Sequence, residues 1–292
     1  MIKGISMNLP GRMESFVMLT LLSSVLHADT LVLKSGQTIS GKSFVRERDA
    51  LVVADGPNGE AVTAARSTPL AEIVRVECDP PALLKNVPLL LAAGKASNVL
   101  SELRLALPAA ETYGYLPGSY WPDLYSLQAH VLLAMGQDAE VAELATAMEK
   151  SHNPGLAGDS QALRALIAAR KGDHDTAASL AEPLLKVAVR PSTVAAASVA
   201  LGLGHLKKKK FPEALKAFLE LPVFLPDDTA LSGIARLGAA QAYYGMEDYD
   251  RAIATLEELV KTQPGIPEIA TAQSLLPEWT RRRRVLQEAK EP

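Results

Sequence analysis

The stretch "LGLGHLKKKKFPEALKAFLELP", Leu201–Pro222, holds two helix-like segments separated by four lysines. The first segment is rich in leucine and glycine, and the second begins with Phe211 and Pro212. Proline is favoured in the first turn of a helix, and lysines near a helix C-terminus oppose its negative dipole end. We therefore interpret Lys207–Lys210 as the solvated turn of a helical hairpin rather than as a ligand site.

The same pattern recurs along the chain. The segment "GAAQAYYGMEDYDRAIATLEELVKTQPG" can be laid on this stretch so that aromatic, small and apolar positions coincide. Equivalent positions in five successive units are Val99, Val141, Ala177, Ala214 and Ala252, with spacings of 42, 36, 37 and 38 residues. One helix pair cannot bury its apolar face alone, so stacked pairs are expected to share a continuous core and to form a curved array.

These units resemble tetratricopeptide repeats (TPR). In the third to fifth units, the residues that carry the resemblance are Gly172, Ala177, Leu201, Gly202, Phe211, Ala214, Phe218, Pro226, Tyr243, Tyr244, Tyr249, Ala252, Leu256 and Pro264. The first two units keep Gly94 and Gly136 at the turn but have valine where alanine is usual. The resemblance implies a mainly α fold, a TPR-like α-solenoid of about five helical hairpins over residues 81–265. A capping helix is expected within 266–292, and a non-repeating helical bundle is the alternative.

The first 28 residues have the pattern of a secretory signal peptide. Lys3 and Arg12 precede an apolar run from Phe16 to Leu26, and Ala28 is a possible cleavage position. The run is too short for a membrane span of about 20 residues. We expect export to the periplasm or secretion, with no stable membrane span after cleavage. A buried N-terminal helix is the alternative.

Residues 29–80 have a different character, with about five short β-rich runs separated by turn residues. The pattern predicts a small β-barrel or sheet. It resembles the SH3-like barrels that open some bacterial envelope proteins, through the spacing of Asp29, Leu31, Leu33, Gly36 and Gly41. Such barrels mostly mediate contacts, so we expect no chemistry in this segment.

No catalytic, cofactor-binding or metal-ligating constellation stands out in the sequence. A single cysteine, Cys78, rules out an intramolecular disulfide and is expected to be a small buried residue. His174 lies between Asp173 and Asp175, but three adjacent side chains in a turn splay apart, so a metal site is disfavoured. The chain lacks the GxSxG, HExxH and phosphate-loop motifs. We expect a non-enzymatic protein without a cofactor.

If the geometry of the TPR family holds, the first helix of each hairpin lines the concave face. One turn-spaced stripe on these helices is then Ser126, His130, Leu133, Val199, Leu203, Leu206, Leu237, Gln241 and Tyr244. The stripe is mostly apolar, which suits a peptide or helix held in a groove. Internal packing of the same residues is the alternative, should the array curl tightly.

The interpretation is an exported scaffold that binds protein or peptide partners, in a cell-envelope assembly. One alternative is an enzyme or accessory factor acting on envelope polymers, which would need clustered carboxylates or a nucleophile–base pair. Another is a nucleic-acid binder using Lys207–Lys210 and Arg281–Arg284. The net charge of −3 and the absence of interleaved aromatics argue against nucleic acid. The aromatic insert Tyr113–Tyr125 is either a binding surface or a loop packed between units.

Overall fold

The computed structural model describes residues 29–41, 44–53, 67–79, 82–114, 116–151, 153–187, 190–221 and 229–289. Within these residues the chain forms eleven helices after a small β segment. The helices are α1 (Ala82–Ala92), α2 (Ala96–Glu111), α3 (Trp121–Ala134), α4 (Asp138–Lys150), α5 (Pro154–Arg170), α6 (His174–Leu184), α7 (Pro191–Lys207), α8 (Phe211–Leu219), α9 (Thr229–Gly245), α10 (Tyr249–Thr262) and α11 (Glu268–Glu288). The first ten pair as five hairpins, so the predicted fold class is confirmed. The predicted signal segment 1–28 lies outside the described residues.

The β segment consists of two three-stranded antiparallel sheets. The strands are β1 (Asp29–Leu33), β2 (Thr38–Gly41), β3 (Phe44–Glu47), β4 (Ala50–Val53), β5 (Ser67–Pro69) and β6 (Ile73–Glu77). Their orders are β2-β1-β6 and β3-β4-β5. In the first sheet Leu31 lies opposite both Ile39 and Val76. Alternation along β1 sends Leu31 and Leu33 into a small core shared with Phe44 and Leu51. The SH3-like classification stays a prediction.

All five hairpin turns have the same backbone conformation. In each, one residue adopts a positive φ, and these residues are Gly94, Gly136, Gly172, Lys209 and Glu247. The N–H of this residue donates to the carbonyl three residues earlier, and the next N–H donates to the carbonyl five residues earlier. This is the hydrogen-bond pattern of the Schellman motif, which satisfies the last carbonyls of a helix. The turn residues are 42, 36, 37 and 38 positions apart, which confirms the repeat register derived from the sequence.

Phe218 joins neighbouring hairpins by filling a slot between two helices. Its ring is 2% exposed and lies against Gly202 of α7 and Gly238 of α9. A methyl group placed on Gly202 would be 2.6 Å from the ring, which is closer than non-bonded carbon atoms approach. The two glycines therefore create the space that the phenylalanine occupies.

Pro183 lies inside α6, the second helix of the third hairpin, near its end. The α6 helix ends at Leu184, one residue after this proline. Proline removes a helical hydrogen bond and its ring clashes with the preceding turn. The second helix of the fourth hairpin, α8, ends at Leu219.

The helical array is curved so that the segment before α11 contacts the first two hairpins. The α7 helix is buried on nearly every side, which fits its alanine-rich sequence, and it contacts α5, α6, α8 and α9. The α9 helix also contacts α3, although two hairpins separate them in pairing order. Gly265 lies close to Gly94, and Pro267 lies close to Gly136. The segment before α11 therefore closes against the first two hairpin turns.

Among the described residues, no helix has both the length and the apolar composition that crossing a membrane requires.

Candidate functional site

A cavity of about 1030 Å³ lies at the C-terminal ends of α5, α7 and α9. The N-termini of α6, α8, α10 and α11 complete its walls. Its lining includes the apolar side chains Leu203, Leu206, Phe211, Ile234, Leu237, Tyr244 and Tyr249. This volume is at the upper end of the range for ligand pockets, and the mix of apolar walls with a few charged groups is typical of a binding site.

Five of the nine residues predicted for the concave stripe line this cavity. They are Leu203, Leu206, Leu237, Gln241 and Tyr244. The stripe residues at the C-terminal ends of α7 and α9 thus lie around one cavity. Whether they contact a partner stays a prediction.

The other four stripe residues lie elsewhere. Leu133 and Val199 are 1% and 0% exposed and belong to the main hydrophobic core, so their predicted place on an open face is wrong. Ser126 is buried as well, and His130 lies beside it around a separate void of about 10 Å³. A void of that size holds no more than a single water molecule. For these four positions the tight curl of the array favours the internal-packing alternative.

Asp159 explains why Ser126 faces inward. This carboxylate is 4% exposed and accepts hydrogen bonds from the hydroxyls of Ser126, Thr193 and Ser192, the last at 3.1 Å. The Arg190 guanidinium lies 3.7 Å from it. A buried carboxylate is tolerated when its lone pairs are filled in this way. The cluster ties together the N-terminal ends of α3, α5 and α7.

The far wall of the cavity is made by an ion triad. Arg170, at the end of α5, donates to Asp138 at 2.8 Å and to Glu268 at 3.1 Å. Glu268 is the first residue of α11 and is 8% exposed. Burial opposes the charge of Arg170, but its bonds to the two carboxylates outweigh this and hold its pKa above the ordinary value. The triad fixes α11 against α4 and α5, and so fixes this wall.

Part of the cavity wall is formed by Tyr244 and Tyr249, which belong to a cluster of three aromatic side chains. Tyr244 packs edge-on against Tyr249, with ring centroids 5.1 Å apart, and stacks on Trp279 at 4.4 Å. The stripe missed Tyr249 and Phe211, which both begin second helices. A signal for them was present, because these two residues coincide when the last two repeats are aligned.

The aromatic insert serves the β segment rather than an open surface. Tyr113 is 4% exposed, packs into the β core, donates to Asp29 at 2.6 Å and accepts from the backbone N–H of Phe44 at 3.1 Å. The N–H of Val76 donates to the carbonyl of Pro117 at 2.9 Å. The insert is therefore packed against the β sheets, and the sequence did not show which partner it would meet.

Cys78 lies beside this seam. Its sulfur is 3.8 Å from the carbonyl of Gly118. Burial, together with the negative charge of Asp29, raises the pKa of the Cys78 thiol to about 11. Cys78 is half-buried rather than fully buried as expected, and a thiol with a raised pKa is a poor nucleophile.

Within the part of the chain that the structure describes, no three His, Cys, Asp or Glu side chains come together as a metal site. His174 lies at the start of α6 and lines the cavity, and its Cβ lies near Gly204. Its neighbour Asp173 points instead at its own helix, where it caps the N–H of Thr176. The turn thus spreads these side chains, as expected from the sequence.

Comparison with known families supports the repeat assignment. The tetratricopeptide repeat family model matches residues 162–229 and 237–276, which run from the second half of α5 to the first part of α11 with a gap in α9. The helical array is therefore TPR-like, and the matched part includes most of the cavity lining. No curated protein matches the chain.

Proposed function

We propose that the chain is an exported, non-enzymatic scaffold that binds a protein or peptide in the cavity at the ends of α5, α7 and α9. Repeats of this family are typically protein-interaction modules. The observation that carries the proposal is the convergence of Leu203, Leu206, Leu237 and Tyr244 on one cavity of about 1030 Å³. An apolar groove between helices is how helical proteins commonly hold partner segments.

The site of action follows from the N-terminal pattern. Residues 1–28 combine a basic front, an apolar run and a small residue at the possible cleavage point. This supports a periplasmic or secreted protein of a bacterial envelope assembly, with protein rather than nucleic-acid partners. A fusion of residues 1–28 to a reporter enzyme that is active only after export tests this part. Activity without cleavage, or none at all, would contradict it.

The β segment is proposed as an SH3-like contact module. The Tyr113 seam holds it against the insert between α2 and α3, so both modules can belong to one assembly. The two sheets leave the cavity uncovered, because every residue that lines the cavity belongs to the helical array.

The binding test compares wild-type protein with Leu237→Glu and Leu105→Glu in pull-downs from the native envelope. Leu237 lines the cavity, whereas Leu105 is 80% exposed on α2, outside it. A partner retained by wild type and Leu105→Glu, and lost by Leu237→Glu, is the expected result. Circular dichroism checks that both variants are folded. A partner retained equally by all three proteins places binding elsewhere, and no specific partner for any of them contradicts the scaffold proposal.

A further inference from the structure

The five hairpin turns share one backbone conformation but not one residue type. Three use glycine, and two use a charged residue, Lys209 with φ 57° and Glu247 with φ 64°. A side chain is disfavoured in this left-handed region, and glycine is not. At Gly94 and Gly172 an added Cβ would meet no atom within 4 Å. Glycine is therefore present there for its backbone freedom, not for lack of space.

Both turns that keep a side chain border the cavity, as does the glycine turn after α5, whose flanking residues Arg170 and His174 also line it. Lys209 and Glu247 both line it, on the consecutive turns that follow α7 and α9. Across the described ranges from residue 29 to residue 289, the structure gives neither of them an ion pair. Lys208, between α7 and α8, behaves differently: it pairs with Asp175 at 3.2 Å and does not line the cavity. The cavity thus has two unneutralised charges of opposite sign at its edge.

The other charged residues that line the cavity are Lys207 and the triad of Arg170, Asp138 and Glu268. Lys207 lies beside Lys209 and adds a second cation on that side. Arg170, on the far wall, is already engaged by Asp138 and Glu268. The same cavity is lined by the apolar side chains of Leu206 and Leu237. The Lys209 turn can attract an anion and the Glu247 turn a cation, beside this apolar lining.

From this arrangement we propose that the occupant is a peptide segment with an apolar centre, an acidic group facing Lys207 and Lys209, and a basic group facing Glu247. The inference rests on the proposed function and specifies its partner. Packed helices lie about 8–10 Å apart, so the two charges on the peptide should be separated by about 10 Å. That distance is about three residues of extended chain or seven residues of helix.

A displayed library of random dodecapeptides tests the proposal. The library is selected on wild-type protein, on Lys209→Glu, on Glu247→Lys and on the double reversal. Two further proteins serve as controls. Lys171→Glu changes an exposed lysine beside Gly172 that does not line the cavity, and Leu237→Glu places a charge in the apolar lining.

Peptides enriched on wild type should carry an acidic and a basic residue on either side of an apolar centre. A synthetic copy of one such peptide should bind about fivefold more weakly to each single reversal at about 0.15 M ionic strength. The same peptide with its two charges exchanged should regain affinity for the double reversal, and Lys171→Glu should bind like wild type.

The outcomes separate the two proposals. Peptides that need Leu237 but show no charge preference, or bind the reversals equally well, would overturn the inference and leave the proposed function standing. If no peptide is enriched on the wild-type protein, or if enrichment persists on Leu237→Glu, cavity binding itself fails. Thermal unfolding of each variant verifies that lost binding is not lost folding.

Discussion

The two ends of α5 and α7 lie in opposite environments. At their N-terminal ends the helices are tied together by the buried carboxylate of Asp159, around a void of about 10 Å³. At their C-terminal ends they line a cavity of about 1030 Å³, bounded by Leu203 and Arg170. The same helices therefore have a tightly packed end and an open end. Under the proposed function, the packed end holds the walls of the cavity in place, which lowers the cost of ordering them on binding.

The largest loss of stability is expected when Phe218, whose ring lies between α7 and α9, is truncated. Phe218→Ala should lower the free energy of unfolding by about 3–5 kcal/mol, because it leaves a cavity between Gly202 and Gly238. Chemical denaturation followed by circular dichroism measures this. The control Leu219→Ala changes a neighbour that is 50% exposed and should stay within about 1 kcal/mol of wild type. Equal effects of the two changes would mean that Phe218 does not act as the spacer.

The second prediction concerns the N-terminal ends of α3, α5 and α7, which the Asp159 carboxylate holds together. Asp159→Ala leaves Ser126 and Thr193 without their acceptor and Arg190 without a buried counter-charge. A loss of about 2–4 kcal/mol is expected, since buried polar groups that lose a partner are costly. Asp175→Ala removes a carboxylate whose side chain is 94% exposed and should be nearly neutral.

Peptide binding by a folded Asp159→Ala protein then shows whether the packed end of the helices also contributes to binding at the cavity. If the packed end only supports the fold, affinity at the cavity should change far less than stability does. A large drop in affinity with little loss of stability would mean that the cluster around Asp159 belongs to the binding site.

Much of the fold could be predicted from the sequence because each repeat places similar residues at equivalent positions. The spacing of Ala177, Ala214 and Ala252 gave the register of the hairpins, since each small residue lets two helices approach closely. The apolar stripe also identified one part of the cavity, through Leu206 and Leu237. These signals are local, and each lies within one repeat or between neighbouring repeats.

The closure of the array could not be predicted in the same way. It depends on contacts between segments far apart in sequence, such as Arg170 with Glu268 and Gly94 with Gly265. Without that closure, Leu133 and Val199 are indistinguishable from the residues that line the cavity. The curl of the array decides which members of one stripe are buried.

A milder change tests the open end. Glu268→Gln removes one carboxylate from Arg170 but keeps the shape of the side chain, so stability should fall by about 1–2 kcal/mol. Hydrogen exchange should increase at the segment joining α10 to α11, which this ion pair holds against α5. Glu278→Gln, an exposed change on α11, is the control and should alter neither quantity. Unchanged exchange in Glu268→Gln would show that the Gly265 and Pro267 contacts suffice for closure.

The smallest expected effect concerns the turns that border the cavity. Lys209→Gly should raise the free energy of unfolding by about 0.5–1 kcal/mol, because glycine adopts the positive φ of this position without a steric penalty. Gly172→Lys, at the equivalent turn, should lower it by about 1 kcal/mol, although there is room for the side chain. Lys171→Gly, one residue earlier and at negative φ, should also destabilise the protein.

A destabilising Lys209→Gly would show that the lysine side chain supports the fold. A stabilising Lys209→Gly with weaker peptide binding is the result expected if this lysine serves the cavity rather than the turn.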